Sequence, residues 1–144
     1  MPMAGEAVYP LLGSQWLHWH SENKEAGLLD TLDQANTFYG DVDAKLVEET
    51  IPILKGHSLK ALTVPGGIPA SIGWAEKTYD GRRAYIRCNQ DNALAFEVQN
   101  MFIERSGVTW ITRTMETSHS PFMSKPKELV EVVNEIAKEF YAAK

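Results

Sequence analysis

Apolar positions in the last third of the chain recur at two periods. Ala84-Tyr85-Ile86-Arg87-Cys88 and Val108 to Met115 are short stretches rich in β-branched and aromatic residues, and both read as strands. Between them Ala93 to Ser106 carries apolar residues at helical spacing and is closed by Gly107. Strand, helix and strand make a β-α-β unit, which predicts parallel strands joined by a right-handed crossover. Asp91 lies in the polar turn Asn89-Gln90-Asp91-Asn92 after the first strand, and His119 lies in Thr117-Ser118-His119-Ser120-Pro121-Phe122 after the second. Both therefore fall at the carboxyl ends of adjacent parallel strands, where open α/β sheets place their chemistry. Beyond them Leu129, Val130, Val132, Val133, Ile136, Ala137, Phe140 and Tyr141 repeat at helical spacing. That pattern predicts a closing helix that packs on the sheet, with Ser124 as N-cap and Pro126 in its first turn.

The N-terminal half has weaker periodicity. Gly5 to Leu12 is a short helix candidate, and Trp16 to His20 pairs across a polar turn with Ala26 to Leu32 as a hairpin. In that strand Trp16, His18 and His20 share one face. Asp41 or Asp43 caps a helix from Ala44 to about Leu54, which Pro52 should kink or shorten. Val64 to Pro69 is turn material that links this half to the next, and Trp74 to Tyr79 reads as a short helix.

Composition narrows the class of partner. Among 144 residues, 14 are basic and 19 acidic, giving a net charge of -5 with no basic block. That balance excludes nucleic acid and an anionic membrane surface as expected partners. No apolar run approaches the roughly 18 residues a span requires, and the N-terminus has no charged-then-apolar leader, so a cytoplasmic protein is expected. Cys88 is the single cysteine, which rules out an internal disulfide or a cysteine metal site. His18 and His20 have same-face spacing for a metal pair, but no third ligand lies nearby. No metal and no cofactor are expected.

The segment YIRCNQD, a helix ending in Gly107, and VTWITRTMETSHSPFMSKPKEL together resemble the C-terminal part of the α/β-hydrolase superfamily, in the branch of hydroxynitrile lyases and methylesterases. Asp91 falls where that family keeps its triad acid and His119 where it keeps its triad histidine. GEAVYPLLG, Trp16 to His20 and FYGDVDAKLVEETIPILKGHSL resemble the cap of the same branch. The resemblance implies an α/β chain with a truncated α/β-hydrolase-like fold, in which residues 1–82 are a cap-like region and residues 83–144 the core. A small parallel sheet with flanking helices would be completed by dimerisation. The first strands, the oxyanion loop and the GxSxG elbow have no counterpart in these residues.

Each candidate residue has a structural alternative. Asp91 could only cap the next helix, and His119 could only cap a turn; paired, they form a dyad competent in general acid-base work. Trp16, His18, Trp19 and Tyr39 are either core or, as the resemblance implies, walls of a substrate pocket. Ser118 and Ser120 are placed to lend hydrogen bonds. Gly56-His57-Ser58 does not make a nucleophile elbow, because position 60 is Lys where a second glycine is required. Without a serine nucleophile, the expectation is an isomerase, cyclase or lyase that uses the His-Asp dyad on a small, largely apolar metabolite. Half of a split hydrolase and a non-catalytic binding module are the two alternatives. A lone strand pair is also too small to stand with an open edge, so a homodimer through the strand at 84–88 is expected.

Overall fold

The computed structural model describes residues 20–63 and 73–142. The expected helix at 5–12, the first arm of the hairpin at 16–19 and the linker at 64–69 fall outside these residues.

The described part of the hairpin extends further along the chain than the apolar pattern predicts. Strand β1 (His20–Asn23) pairs antiparallel with β2 (Leu28–Thr31), from His20 opposite Thr31 to Asn23 opposite Leu28. Ser21, Glu22 and Asn23, read as turn residues, are strand instead, their backbone paired with Asp30, Leu29 and Leu28 while they stay exposed. The turn closes tightly because Asn23 Oδ1 accepts from the Ala26 N–H at 3.0 Å and Gly27 takes φ +68°. Helices α1 (Gln34–Tyr39) and α2 (Ala44–Thr50) follow. Asp43 is the residue that caps α2, accepting from the N–H groups of Lys45 and Leu46 at 3.1 and 3.3 Å. Pro52 ends the helical pattern as expected, since residues Ile51–Ile53 form only a 3-10 turn. Strand β3 (His57–Ser58) joins β2, and α3 (Leu59–Thr63) leads away.

The β-α-β unit forms with the expected parallel pairing. Strand β4 (Ala84–Cys88) lies beside β5 (Ile111–Met115), and α4 (Phe96–Arg105) crosses between them. Alpha4 starts three residues later than predicted because Asp91 Oδ1 accepts from the N–H groups of both Ala93 and Leu94, each at 2.8 Å, and folds 91–94 into a turn of its own. It ends at Ser106 and Gly107, the latter at φ +67°. The second strand is shorter than expected at its start. Before it Trp110 Nε1 donates to Ser106 Oγ at 2.8 Å, tying the entry to the end of α4.

Two further differences come from polar groups and prolines. Residues 74–79 make two 3-10 turns, Gly73–Ala75 and Lys77–Tyr79, in place of a helix. Their carbonyls are turned inward by the buried Arg83 guanidinium, which donates to Trp74 O, Glu76 O and, at 2.7 Å, Asp80 Oδ1. The closing helix is two helices, α5 (Pro121–Ser124) and α6 (Pro126–Ala142). Each opens on a proline, and the residue before a proline avoids helical backbone, so Lys125 breaks the run at φ -133°. Ser124 ends α5 and does not cap α6. The broad apolar face of α6 is covered only in part, with Ile136 buried but Val130 58% and Val133 48% exposed. Two strands are too narrow to cover a helix of 17 residues. Met115, Phe102, Cys88 and Ala93 form the core under β4 and β5.

Candidate active site

Register along β4 and β5 continues two bonds past the strands. Asn89 N–H donates to Met115 O at 3.1 Å and Gln90 N–H to Thr117 O at 3.0 Å. One residue further out on the first loop is Asp91, and two further out on the second is His119. Their side chains meet, with His119 Nδ1 2.9 Å from Asp91 Oδ2. Since Oδ1 is already occupied by the two N–H groups of the 91–94 turn, the carboxylate is fixed in rotation and presents only Oδ2 to the ring. The Asp91 side chain is 5% exposed and that of His119 is 42% exposed, so the acid is enclosed while the ring faces open space. Nδ1 is the donor in this pairing, which leaves Nε2 of a neutral ring as the basic atom.

That open space is a cavity of about 540 Å³ with His119 and Ser120 on its wall. Leu29, Phe38, Tyr39, Leu54 and Phe122 supply its apolar lining. Phe38 packs against the imidazole, with ring centroids 5.6 Å apart and planes tilted by 49°. His57 also lines the cavity, although the sequence drew notice only to its neighbour Ser58. Residue pattern alone could not mark His57. It reaches the site because β3 adds to β2 and carries its side chain to the mouth.

Of the residues expected to touch a ligand, Tyr39 and Ser120 line the cavity, while Trp16, His18 and Trp19 lie outside the described residues. Ser118 does not line it. The residue is 1% exposed and its hydroxyl donates to Asp41 Oδ1. Burial pushes the Asp41 carboxyl up, but hydrogen bonds from Ser118 and Ser124 and from the Ser118 and Asp41 backbone outweigh it and hold the carboxyl below its ordinary value. Ser124 sits at the margin of that contact, since by strict geometry its Oγ and Asp41 Oδ2 are both left without a hydrogen bond. Burial pushes the Cys88 thiol up, and the nearby Asp91 and Asp41 carboxylates add to this while the neighbouring Thr117 hydroxyl opposes it. Such a thiol is a packing group and no nucleophile.

A second residue escaped the sequence reading. Gln99 lies on the inner face of α4 and is 2% exposed. Its Oε1 accepts from Cys88 N–H at 3.0 Å, and its Nε2 donates to Cys88 O and Leu94 O, both at 2.8 Å. It thereby fastens the end of β4 to the turn that holds Asp91.

A two-stranded parallel sheet with an acid after one strand and a histidine after the next belongs to a wider fold. The structure superposes on a crystal structure of polyneuridine aldehyde esterase with a TM-score of 0.66 and 19% identity, over 95% of this chain and 58% of that one. A pyrethroid hydrolase gives 0.66 and 18%, over 94% and 57%. In sequence, polyneuridine aldehyde esterase of Rauvolfia serpentina is 30% identical over 84 residues, which are 54% of this chain and 32% of that protein. Norfluorocurarine synthase 2 of a Strychnos species is 36% identical over 55 residues, 38% of this chain and 21% of the relative. Putative methylesterase 14, chloroplastic, of Arabidopsis thaliana is 33% identical over 63 residues, 44% and 18% respectively. No protein-family profile matches the chain. The shared fold is that of the α/β-hydrolases in a truncated version, and the sequence relatives agree with the resemblance to that superfamily. The chain spans about a third or less of the curated relatives it matches and under three-fifths of the solved chains.

The comparisons overturn the expectation of a non-hydrolytic isomerase, cyclase or lyase. Apart from the synthase, these relatives carry the names of esterases, methylesterases and hydrolases. The expectation failed because it inferred the reaction from the lack of a serine elbow. A chain that spans only part of its relatives carries no such inference. Among the described residues no helix is long and apolar enough to cross a membrane.

Proposed function

We propose that the chain supplies the acid-base half of a serine-type ester hydrolase, with Asp91 and His119 as the relay and the nucleophile borne outside these 144 residues. The observation that carries this is the 2.9 Å contact between His119 Nδ1 and Asp91 Oδ2, made beside an apolar cavity by a carboxylate whose other oxygen is already held. In the reaction His119 Nε2 takes the proton of the incoming serine Oγ as the O–C bond to the acyl carbon forms. It then gives that proton to the departing alcohol, and water repeats the cycle to release the acid. Asp91 stabilises the imidazolium in between. Leu29, Phe38, Tyr39, Leu54 and Phe122 favour a small apolar ester.

Of the serines near the cavity, Ser118 is committed to Asp41, Ser58 stands exposed in β3, and Ser120 is buried in the cavity wall next in the chain to His119. The polypeptide that bears the nucleophile would add to the open edge of β4, the same edge at which a second copy of this chain would form a homodimer. The test is hydrolysis of p-nitrophenyl acetate by the assembled enzyme. His119→Ala should lower kcat by about 10³-fold or more, and a fluorophosphonate should label a serine outside this stretch. Undiminished turnover in His119→Ala, or labelling of Ser58, Ser120 or any other serine of this stretch, would defeat the assignment.

A further inference from the structure

The last backbone bond between the two loops is Gln90 N–H to Thr117 O, so the strand ladder stops short of both Asp91 and His119. What crosses the gap is the turn at the end of α1. Asn92, beside Asp91, donates from Nδ2 to Asn36 O at 3.0 Å and lies 3.3 Å from Asn36 Oδ1. Ser118, beside His119, donates from Oγ to Asp41 Oδ1 and lies 3.5 Å from Phe38 O. Gly40 is lodged between them, since a Cβ built there would lie 3.8 Å from Asn92 Nδ2 and 3.9 Å from Ser118 Cβ. One short segment, 36–41, thus grips the neighbour of the acid with one end and the neighbour of the histidine with the other. Hydrogen bonds to a charged acceptor are the stronger kind, and Ser118 is almost wholly buried, so its link to Asp41 is the firmer of the two. The Asn92 link is exposed and weaker.

We infer that Asp41 is a positioning residue for the dyad: through Ser118 it sets where His119 stands, while Asn36 and Asn92 hold the Asp91 loop against the same segment. This rests on the reading of Asp91 and His119 as the relay. The carboxylate form of Asp41 is the one the site is built around, because both the Ser118 hydroxyl and the Ser118 N–H act to hold it.

The test reads the His119 ring directly by long-range proton-nitrogen NMR on the 15N-labelled chain, which shows which nitrogen carries the proton in the neutral ring. The unaltered chain should show the proton on Nδ1, donated to Asp91. Ser118→Ala and Asp41→Ala should each shift the ring toward the Nε2–H form that a free imidazole prefers, and the double variant should shift it no further. Asp41→Asn keeps an acceptor oxygen and should preserve most of the Nδ1–H form. Asn92→Ala changes an exposed side chain and should give a smaller shift in the same direction. Unchanged tautomers in Ser118→Ala and Asp41→Ala with protected β4 and β5 amides would overturn the inference. So would loss of that amide protection in both, with no shift in Asn92→Ala, since these residues would then hold the fold and not the dyad. Turnover is not the readout, so a braced dyad in a protein without ester hydrolysis would sink the proposed function and leave this inference standing.

Discussion

Replacing Asp91 by Asn is the perturbation whose outcome the geometry constrains most. The two N–H groups of Ala93 and Leu94 both point at Oδ1, each at 2.8 Å, and an amide must offer them its oxygen. Its NH2 then takes the place of Oδ2, 2.9 Å from His119 Nδ1. Two donors cannot face each other, so Nδ1 must give up its proton and Nε2 must carry one. A ring protonated on Nε2 cannot accept a serine proton. In the hydrolase reading this variant should lose about 10⁴-fold in kcat, a barrier rise of about 5 kcal/mol. Its stability should change little, because the turn keeps both of its N–H bonds. Nitrogen shifts of the ring report the tautomer, ester turnover reports the rate, and thermal melting reports the fold. An Asn variant with the proton still on Nδ1, or with turnover within tenfold of the parent, would refute the reasoning.

Three other outcomes follow from groups outside the dyad. Gln99→Leu keeps the volume but strands Cys88 N–H, Cys88 O and Leu94 O; at about 1 to 2 kcal/mol each it should cost about 3 to 6 kcal/mol and lower Tm by roughly 10 °C or more. Asp41 has a folded value below its ordinary 3.8, so its contribution to stability is complete above that value and drains away as pH falls through the lowered one. Asp41→Asn should therefore flatten the acid limb of a stability-against-pH curve below about pH 4 and leave the slope near neutrality unchanged. By sedimentation at micromolar concentration the isolated chain should be a dimer through the β4 edge, and addition of the nucleophile-bearing polypeptide should displace one copy; a monomer under those conditions would count against that edge as the dimer contact.

Local pattern was enough for some of this protein and not for the rest. The β-α-β unit, its parallel pairing and the approach of Asp91 to His119 were legible, because a strand, helix and strand of these lengths leave one handedness and one order of loops. Proline and glycine signals at Pro52 and Gly107 also acted where they stood, since their effect is on the backbone of their own residue. The hydrophobic period of α6 was read correctly as a helix and wrongly as a covered face. Periodicity reports which residues could be buried, and only the width of the sheet decides how many are. Arg83, Gln99 and His57 carry no mark in the sequence, and Asp41 is marked there only as a candidate helix cap, because their partners are distant or irregular in it. Asp41 reaches Ser118 across 77 positions. Gln99 answers backbone groups of Cys88 and Leu94 that any residue would offer, and it is selected by the place where α4 comes to rest on β4. Polar contacts of this kind exist only once the elements have packed. That is why the acid and the histidine could be named from the chain, and the residues that hold them in register could not.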